Sequence, residues 1–470
     1  MSLTPPIAGR EAELLTLMQQ RLPPHPRATQ QRFQALPSAF ACALHMHQPT
    51  IPAGADGALI SHLQYMVEHP EEGDNHNAEP FAHCYRRLAE LLPELIREGC
   101  DPRIMLDYSG TLLWGFEQMG RRDILDALHR LTCDPGLQQH VEWLGTFWGH
   151  AVASSTPIAD LSLQIQAWQH HFAALFGDDA LQRVRGFSLP EMHLPNHPDA
   201  LHELVRALQR CGYRWLLVQE HSVEQLDGTA LSYEQCLLPH RLVARNLQGD
   251  TASITALIKT QGSDTKLVGQ MQPFAEALGL QRLPLGTSSV PPLVLQIADG
   301  ENGGVMMNEF PPAFIQSHQR LRDQGGTAAV NGSEYLNLLQ AGGIEESSFS
   351  PIQAAGQHAF FAQRSSCDPA GEAEAALQGA SWTNNISWVE GYGNVLEPMQ
   401  TLSAQFHRRF DRLVEQEPST TATPAYQNAL LHLLLLETSC FRYWGQGVWT
   451  DYARELHRRG EASLAALSPG

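Results

Sequence analysis

Two carboxylates and three histidines stand where apolar runs of this chain give way to polar residues. Glu191 follows Pro190 in GFSLPEMHLPN, and Asp299 lies in VLQIADGEN. A pair of carboxylates across a sugar can cleave a glycosidic bond. One attacks the anomeric carbon or activates water, and the other protonates the leaving oxygen. The protonating member must hold its proton near working pH. A free Asp titrates near about 3.9, so Asp299 needs burial or a like charge to do this. Glu301, two residues on, is one source of like charge. Each acid also has a plainer use, because a Glu or Asp at a strand end caps the helix that follows. Spacing alone does not choose sugar chemistry over other hydrolytic chemistry.

His45 and His47 lie two apart in HMHQP (45–49), so on an extended segment they point the same way. With Asp107 or His150 such a pair can bind zinc. Hydrogen bonding to substrate or to a neighbouring carboxylate is the plainer use. Trp148, Trp388, Trp444 and Trp449 fall near the ends of runs or in loops. Their rings suit the apolar face of a sugar and equally suit a packed core. The stretch TSCFRYWGQGVWTDY (438–452) mixes aromatics, Arg442 and two glycines, and reads as a loop over a site.

The elements that must position these groups alternate. Apolar runs at 39–49, 103–110, 141–150, 184–193, 213–221 and 292–302 read as strands, and 385–394 as a further strand or a loop. Helix-like stretches at 80–99, 112–131, 161–177 and 199–212 lie between several of them. Near-continuous apolar strands alternating with helices predict a parallel sheet covered by helices. The chemistry gathers at the C-terminal ends of about six runs: His45, His47, Asp107, His150, Glu191, Glu220, His221, Asp299 and Glu301. Active sites of parallel α/β barrels sit at that end, whereas an open doubly wound sheet gathers ligands at one switch point. A closed or nearly closed barrel is therefore expected, and no Gly-rich phosphate fingerprint follows the first strand.

Around this barrel, residues 1–37 are expected to form an N-terminal helical arm outside it. Residues 38–400 form the barrel, with 303–384 as mixed helix and long loops over the site. Residues 401–470 form a helical bundle, from helices at 402–416, 424–445 and 449–467. The 470 residues carry 31 Lys and Arg against 50 Asp and Glu, a net charge of −19. That balance repels phosphate backbones and anionic membranes, so a neutral or weakly charged ligand is expected, without nucleic-acid or membrane partners. The eight scattered cysteines contain no C-x-x-C pair and read as reduced thiols. The opening MSLTPPIAGREAELL has no apolar core for export, so a cytoplasmic location is expected.

These residues resemble glycoside hydrolase family 57, in order and from about 40 to 450. HMHQP (45–49) resembles the family's opening His-Gln-Pro motif. VEWLGTFWGHA (141–151) resembles its second region, and GFSLPE (186–191) its third, whose Glu is the nucleophile. ADGEN (298–302) resembles the fourth, whose Asp is the general acid/base, and ETSCFRYWGQGVW (437–449) occupies the place of the fifth. The resemblance implies a (β/α)7 barrel with a C-terminal helical domain, acting on α-glucans with retention and without metal or organic cofactor. Glu191 and Asp299 are then the catalytic pair. His45, His47, Gln48, His150, Trp148, Glu301, Trp388, Trp444 and Trp449 are candidates for the substrate site. One departure stands out. Gly303 and Gly304 occupy the place of a Phe-Gly, which removes an aromatic wall beside the acid/base. Two other readings follow from the same residues: a metal-dependent hydrolase or deacetylase using His45, His47 and Asp107, and an α-glucan-binding protein with an idle site.

Overall fold

Side-chain alternation along the first apolar run decides how the chain closes on itself. The structure is a computed structural model describing residues 4–260, 265–302, 304–364, 393–443 and 447–466. In β1 (Ala39–Met46), Ala39, Ala41 and Ala43 join one hydrophobic cluster, while Phe40, Cys42, Leu44 and Met46 join another. The first cluster is the inside of a barrel, and the second is the layer between barrel and helices.

The remaining barrel strands are β2 (Ile104–Tyr108), β3 (Val141–Gly145), β4 (Gly186–Ser188), β5 (Trp215–Gln219), β6 (Thr251–Lys259) and β7 (Leu293–Asp299). Each runs parallel to the next, and β7 pairs with both β6 and β1, so the sheet closes. This is the (β/α)7 barrel expected. A small barrel leaves little room inside. The alanines of β1 share that space with Met105, Leu144, Trp215 and Leu257. Gly186 is needed there, since a Cβ on it would fall 2.2 Å from the Trp215 ring.

The seventh strand is β6; of the stretch at 385–394, residues 385–392 lie outside the described residues and Gly393 opens a helix. TASITALIK opens with Thr and Ser because its first half is an exposed hairpin arm, antiparallel to His240–Arg245. Only its second half is buried in the barrel. The polar opening hides the strand from a search for apolar runs.

Other expectations shift with the packing. The helix Glu11–Gln19 does not stand apart: Leu14 and Met18 are buried in the main core, and the backbone N–H of Arg10 donates to Nε2 of His170 at 3.0 Å. The stretch 112–131 divides at Gly120 (φ 64°) into Gly110–Gln118 and Arg122–Cys133. The described part of 303–384 divides between the two ends: its strand Ser350–Ala354 pairs with Val223–Gln225 just past the C-terminal end of β5, and Nε2 of Gln357 donates to the carbonyl of Asn196 beyond the Glu191 turn. Its helix Gly332–Ala341 closes the opposite end of the barrel, with Tyr335, Leu338 and Leu339 in the interior cluster. Under it Nε of Arg103 meets Oε2 of Glu334 at 2.7 Å, both side chains only 1% exposed.

The C-terminal helices Gly393–Gln416, Pro424–Leu436 and Val448–Ala465 pack on one another. Phe406, Phe410 and Tyr426 meet there with ring centroids 5.0 to 5.3 Å apart. The first of these helices begins at Gly393, ahead of the boundary expected at 401. The run 424–445 breaks after Leu436, turns through Glu437–Ser439, and resumes as Cys440–Tyr443. Among the described residues no helix is long and apolar enough to cross a membrane, and the seven described cysteines are free thiols.

Candidate active site

The inward-facing positions of the strands turn polar at their C-terminal ends. Continuing the alternation gives His45 on β1, Asp107 on β2, Ser188 on β4, Gln219 on β5, Lys259 on β6 and Asp299 on β7. His45 is in register with Asp299 on one side and with Asp107 on the other. The three are therefore neighbours across adjacent strands at one level of the barrel.

Glu191 and His150 arrive by turns rather than by strands. Pro190–Met192 forms a tight turn after β4, with Glu191 at φ 60° and Met192 at φ 52°. His150 has φ 57°. Of five non-glycine residues with positive φ among the described residues, these are three. Left-handed backbone costs a residue with a Cβ about 1–3 kcal/mol. Strain gathered in one place marks a spot where side-chain direction outweighs local comfort. It brings Nδ1 of His150 to 3.9 Å from Oε1 of Glu191. Glu191 keeps 15% of its side chain open to solvent and Asp299 is exposed, so neither acid is sealed under packed side chains.

A chain of imidazoles links the two sides. Nδ1 of His45 lies 3.0 Å from Oδ2 of Asp107, and Nε2 of His45 lies 2.9 Å from Nε2 of His150. His47 stacks on His150 with centroids 3.8 Å apart. Burial alone lowers the pKa of His45, but the charge and hydrogen bond of Asp107, with the charges of Asp299 and Glu191, lift it to about 9. Burial, together with the charge of His45, holds His47 and His150 well below their usual value. The protons then follow: cationic His45 donates from Nδ1 to Asp107 and from Nε2 to His150. Neutral His150 therefore keeps its own proton on Nδ1.

The acids differ in setting. Asp299 stands at the rim, open on one side and crowded on the other. Lost hydration raises its pKa, His45 opposes that, and Asp107 adds to it. Glu301 is pushed further, to about 8, mainly by burial. One carboxyl oxygen accepts the backbone N–H of His47, and the other accepts Nε2–H of Gln48 at 2.8 Å. Oε1 of Gln48 lies 3.2 Å from Nδ1 of His62. Glu301 and Gln48 thus brace the end of β7 to the segment after β1.

The aromatic candidates divide. Trp148 is fully buried, packs over Gly110 and donates from Nε1 to Nδ1 of His171 at 3.1 Å, so it presents no face to a ligand. Trp449 is half-buried near His62, with centroids 5.3 Å apart, behind Gln48. Trp388, Trp444 and Gly303 lie outside the described residues. Glu220 and His221 are half-buried in the turn after β5, whose inward residue is Gln219. Lys259 was not singled out by spacing, because a lone Lys at a strand end resembles a solvated one. Burial lowers it to about 8, against the pull of Glu220.

The zinc arrangement does not form. The ring nitrogens of His47 are directed to Oγ of Ser109 at 2.8 Å and Sγ of Cys440 at 3.3 Å. Among the described residues no three His, Cys, Asp or Glu side chains converge as a ligand set. A cavity of about 990 Å³ opens at the other end of the barrel, lined by Leu22–Pro26, Trp143, Trp215 and Asn337 among others. None of the converging ionisable groups lines it. Position at the strand ends and the strained turns, not cavity size, mark the candidate site.

No protein-family model and no curated protein matches the chain. Solved structures do. The 4-alpha-glucanotransferase from Thermococcus litoralis superposes with a TM-score of 0.57 at 17% identity, over 93% of this chain and 61% of that one. The GH57 branching enzyme from Thermococcus kodakaraensis gives 0.53 at 12% identity, over 91% and 88%. An alpha-amylase from Thermotoga maritima gives 0.51 at 10% identity, over 92% of each chain. The chain spans about three fifths of the length of the glucanotransferase. With seven parallel strands closed into a barrel and helices continuing at its C-terminal side, the chain has the fold of the GH57 enzymes.

Proposed function

We propose that this chain is a retaining α-glucan-active enzyme, a hydrolase or a glucanotransferase, with Glu191 as nucleophile and Asp299 as general acid/base. The observation that carries the reading is the set of contacts around His45. His45 is in register with Asp299 on the adjacent strand, and its Nε2 lies 2.9 Å from Nε2 of His150, whose Nδ1 is 3.9 Å from Oε1 of Glu191. The fold shared with a glucanotransferase, a branching enzyme and an amylase supports the substrate class.

Glu191 attacks the anomeric carbon, forming a carboxyl–sugar bond as the glycosidic oxygen leaves. Asp299 gives that oxygen its proton. Its raised pKa suits it to hold the proton beforehand. Asp299 then removes a proton from the incoming acceptor, and the sugar leaves Glu191. Water as acceptor gives hydrolysis, and a sugar hydroxyl gives transfer or branching. Cationic His45 offsets the charge of Glu191 while the site is empty, and its contact with Asp107 keeps that cation in place.

The test is incubation with maltoheptaose and amylose, with products resolved by size and linkage. Shorter or longer glucans support the reading and separate hydrolysis from disproportionation and branching. Unchanged substrate at high enzyme concentration contradicts it, and glucan binding without product points instead to an idle binding site.

A further inference from the structure

The break in the C-terminal helical region puts three buried residues against the candidate site. Glu437, Thr438 and Ser439 are each 0% exposed. Thr438 forms a β-bridge with Ala151, and the backbone N–H of Ser439 donates to the carbonyl of His150 at 3.0 Å. Oε2 of Glu437 accepts from Nε2 of Gln164 at 2.6 Å. Gly149 leaves the space for this docking, since a Cβ there would fall 2.3 Å from the carbonyl oxygen of Leu434. The side chains meet as well: Oγ of Ser439 lies 2.7 Å from Nδ1 of His150.

We propose that Ser439, delivered from the C-terminal helical region, is a positioning residue for Glu191: its hydroxyl receives the Nδ1 proton of His150 and holds that imidazole edge against the carboxylate. The inference rests on the reading of Glu191 as nucleophile. The proton's place follows from the chain of imidazoles. Nε2 of His150 accepts a hydrogen bond from Nε2–H of His45, so the single proton of His150 sits on Nδ1, the atom 2.7 Å from Ser439 and 3.9 Å from Glu191. The short contact fixes the ring and the longer one is set by it. Groups facing His150 come from every side: His45 and His47 from the end of β1, Glu191 from the turn after β4, and Ser439 from the C-terminal helical region. A ring free to rotate among them would lose its preference for one partner. The helical region thereby becomes part of the site, because the nucleophile is aligned only while that region is docked.

The experiment compares the wild type with Ser439→Ala and Ser439→Thr, each first shown to be folded by its melting temperature. Ring nitrogen signals of His150 are read by NMR, assigned with a His150→Gln variant. Activity on maltoheptaose is followed across pH. The expected result is an Nδ1-protonated ring in the wild type and in Ser439→Thr, and mixed or shifted ring signals in Ser439→Ala. In Ser439→Ala kcat falls about 10- to 100-fold, KM is unchanged and the pH profile moves, while Ser439→Thr restores both. Unchanged ring signals in Ser439→Ala overturn the inference, as do altered signals with a wild-type pH profile. If Glu191→Gln is as active as the wild type, the proposed function fails, and the link from His150 to a nucleophile fails with it. The ring signals then still report whether Ser439 sets the His150 proton.

Discussion

Nδ1 of His45 lies 3.0 Å from Oδ2 of Asp107, and this contact decides the charge at the centre of the barrel mouth. Burial lowers the pKa of His45, and the charge and hydrogen bond of Asp107, with the charges of Asp299 and Glu191, lift it to about 9. Activity that needs the cation is therefore present at neutral pH and lost as pH rises through about 9. Asp107→Asn removes the charge, so the alkaline limb of the rate profile moves to lower pH by more than a unit, on the order of 1.4 kcal/mol or more. A profile unchanged in Asp107→Asn contradicts this assignment.

Glu301 carries its proton near neutral pH, because burial moves its pKa to about 8. Its work is to accept the N–H groups of His47 and Gln48. Glu301→Ala leaves those buried donors unmet, and a loss of about 1–3 kcal/mol in stability is expected. Glu301→Gln keeps shape and an acceptor and should cost less. Denaturant titration of both variants checks the order, and equal losses would count against a bracing role.

Much of the barrel was legible in the chain because six of its strands are buried runs whose polar ends line up. β6 was not, since its polar first half is a hairpin arm. HMHQP and ADGEN pointed to the site, yet Gln48 and Glu301 bond to each other, a fact that pairing across β1 and β7 creates and spacing cannot show. Trp148 suited either a sugar face or a packed core because it falls near the end of an apolar run, and Gly110 gives its ring a buried seat. The stretch 438–452 pointed to the site, yet nothing in it singled out Ser439, whose partner His150 lies 289 residues away in sequence.

Docking of the helical region onto the strand ends passes through Gly149. Gly149→Ala places a methyl 2.3 Å from the Leu434 carbonyl position, so backbone must shift. Overpacking of this kind costs about 1–3 kcal/mol. A drop in melting temperature is expected together with a fall in kcat, since the same shift moves Ser439 from His150. Full activity in Gly149→Ala would show that the region is not needed in place.

The same region is tied to the barrel by Nε2 of His407 and Oδ1 of Asp160 at 2.6 Å. Burial opposes the His407 cation, but Asp160 and Asp411 outweigh it and raise its pKa to about 9. Free His titrates near about 6.5, so this contribution is full below that pH and is lost as pH rises through about 9. Melting temperatures of the wild type should fall across that window. His407→Gln should show a flatter dependence, and a slope identical to that of the wild type would remove His407 as its source.

The central claim is that Glu191 becomes covalently glycosylated. The most direct measurement is mass spectrometry of protein quenched during turnover of an activated maltosyl fluoride, using the wild type, Asp299→Asn and Glu191→Gln. The account predicts a sugar adduct on the peptide containing Glu191, accumulating in Asp299→Asn because the acceptor is no longer deprotonated, and absent from Glu191→Gln. An adduct on another residue, or turnover with no adduct in any of the three proteins, would contradict it.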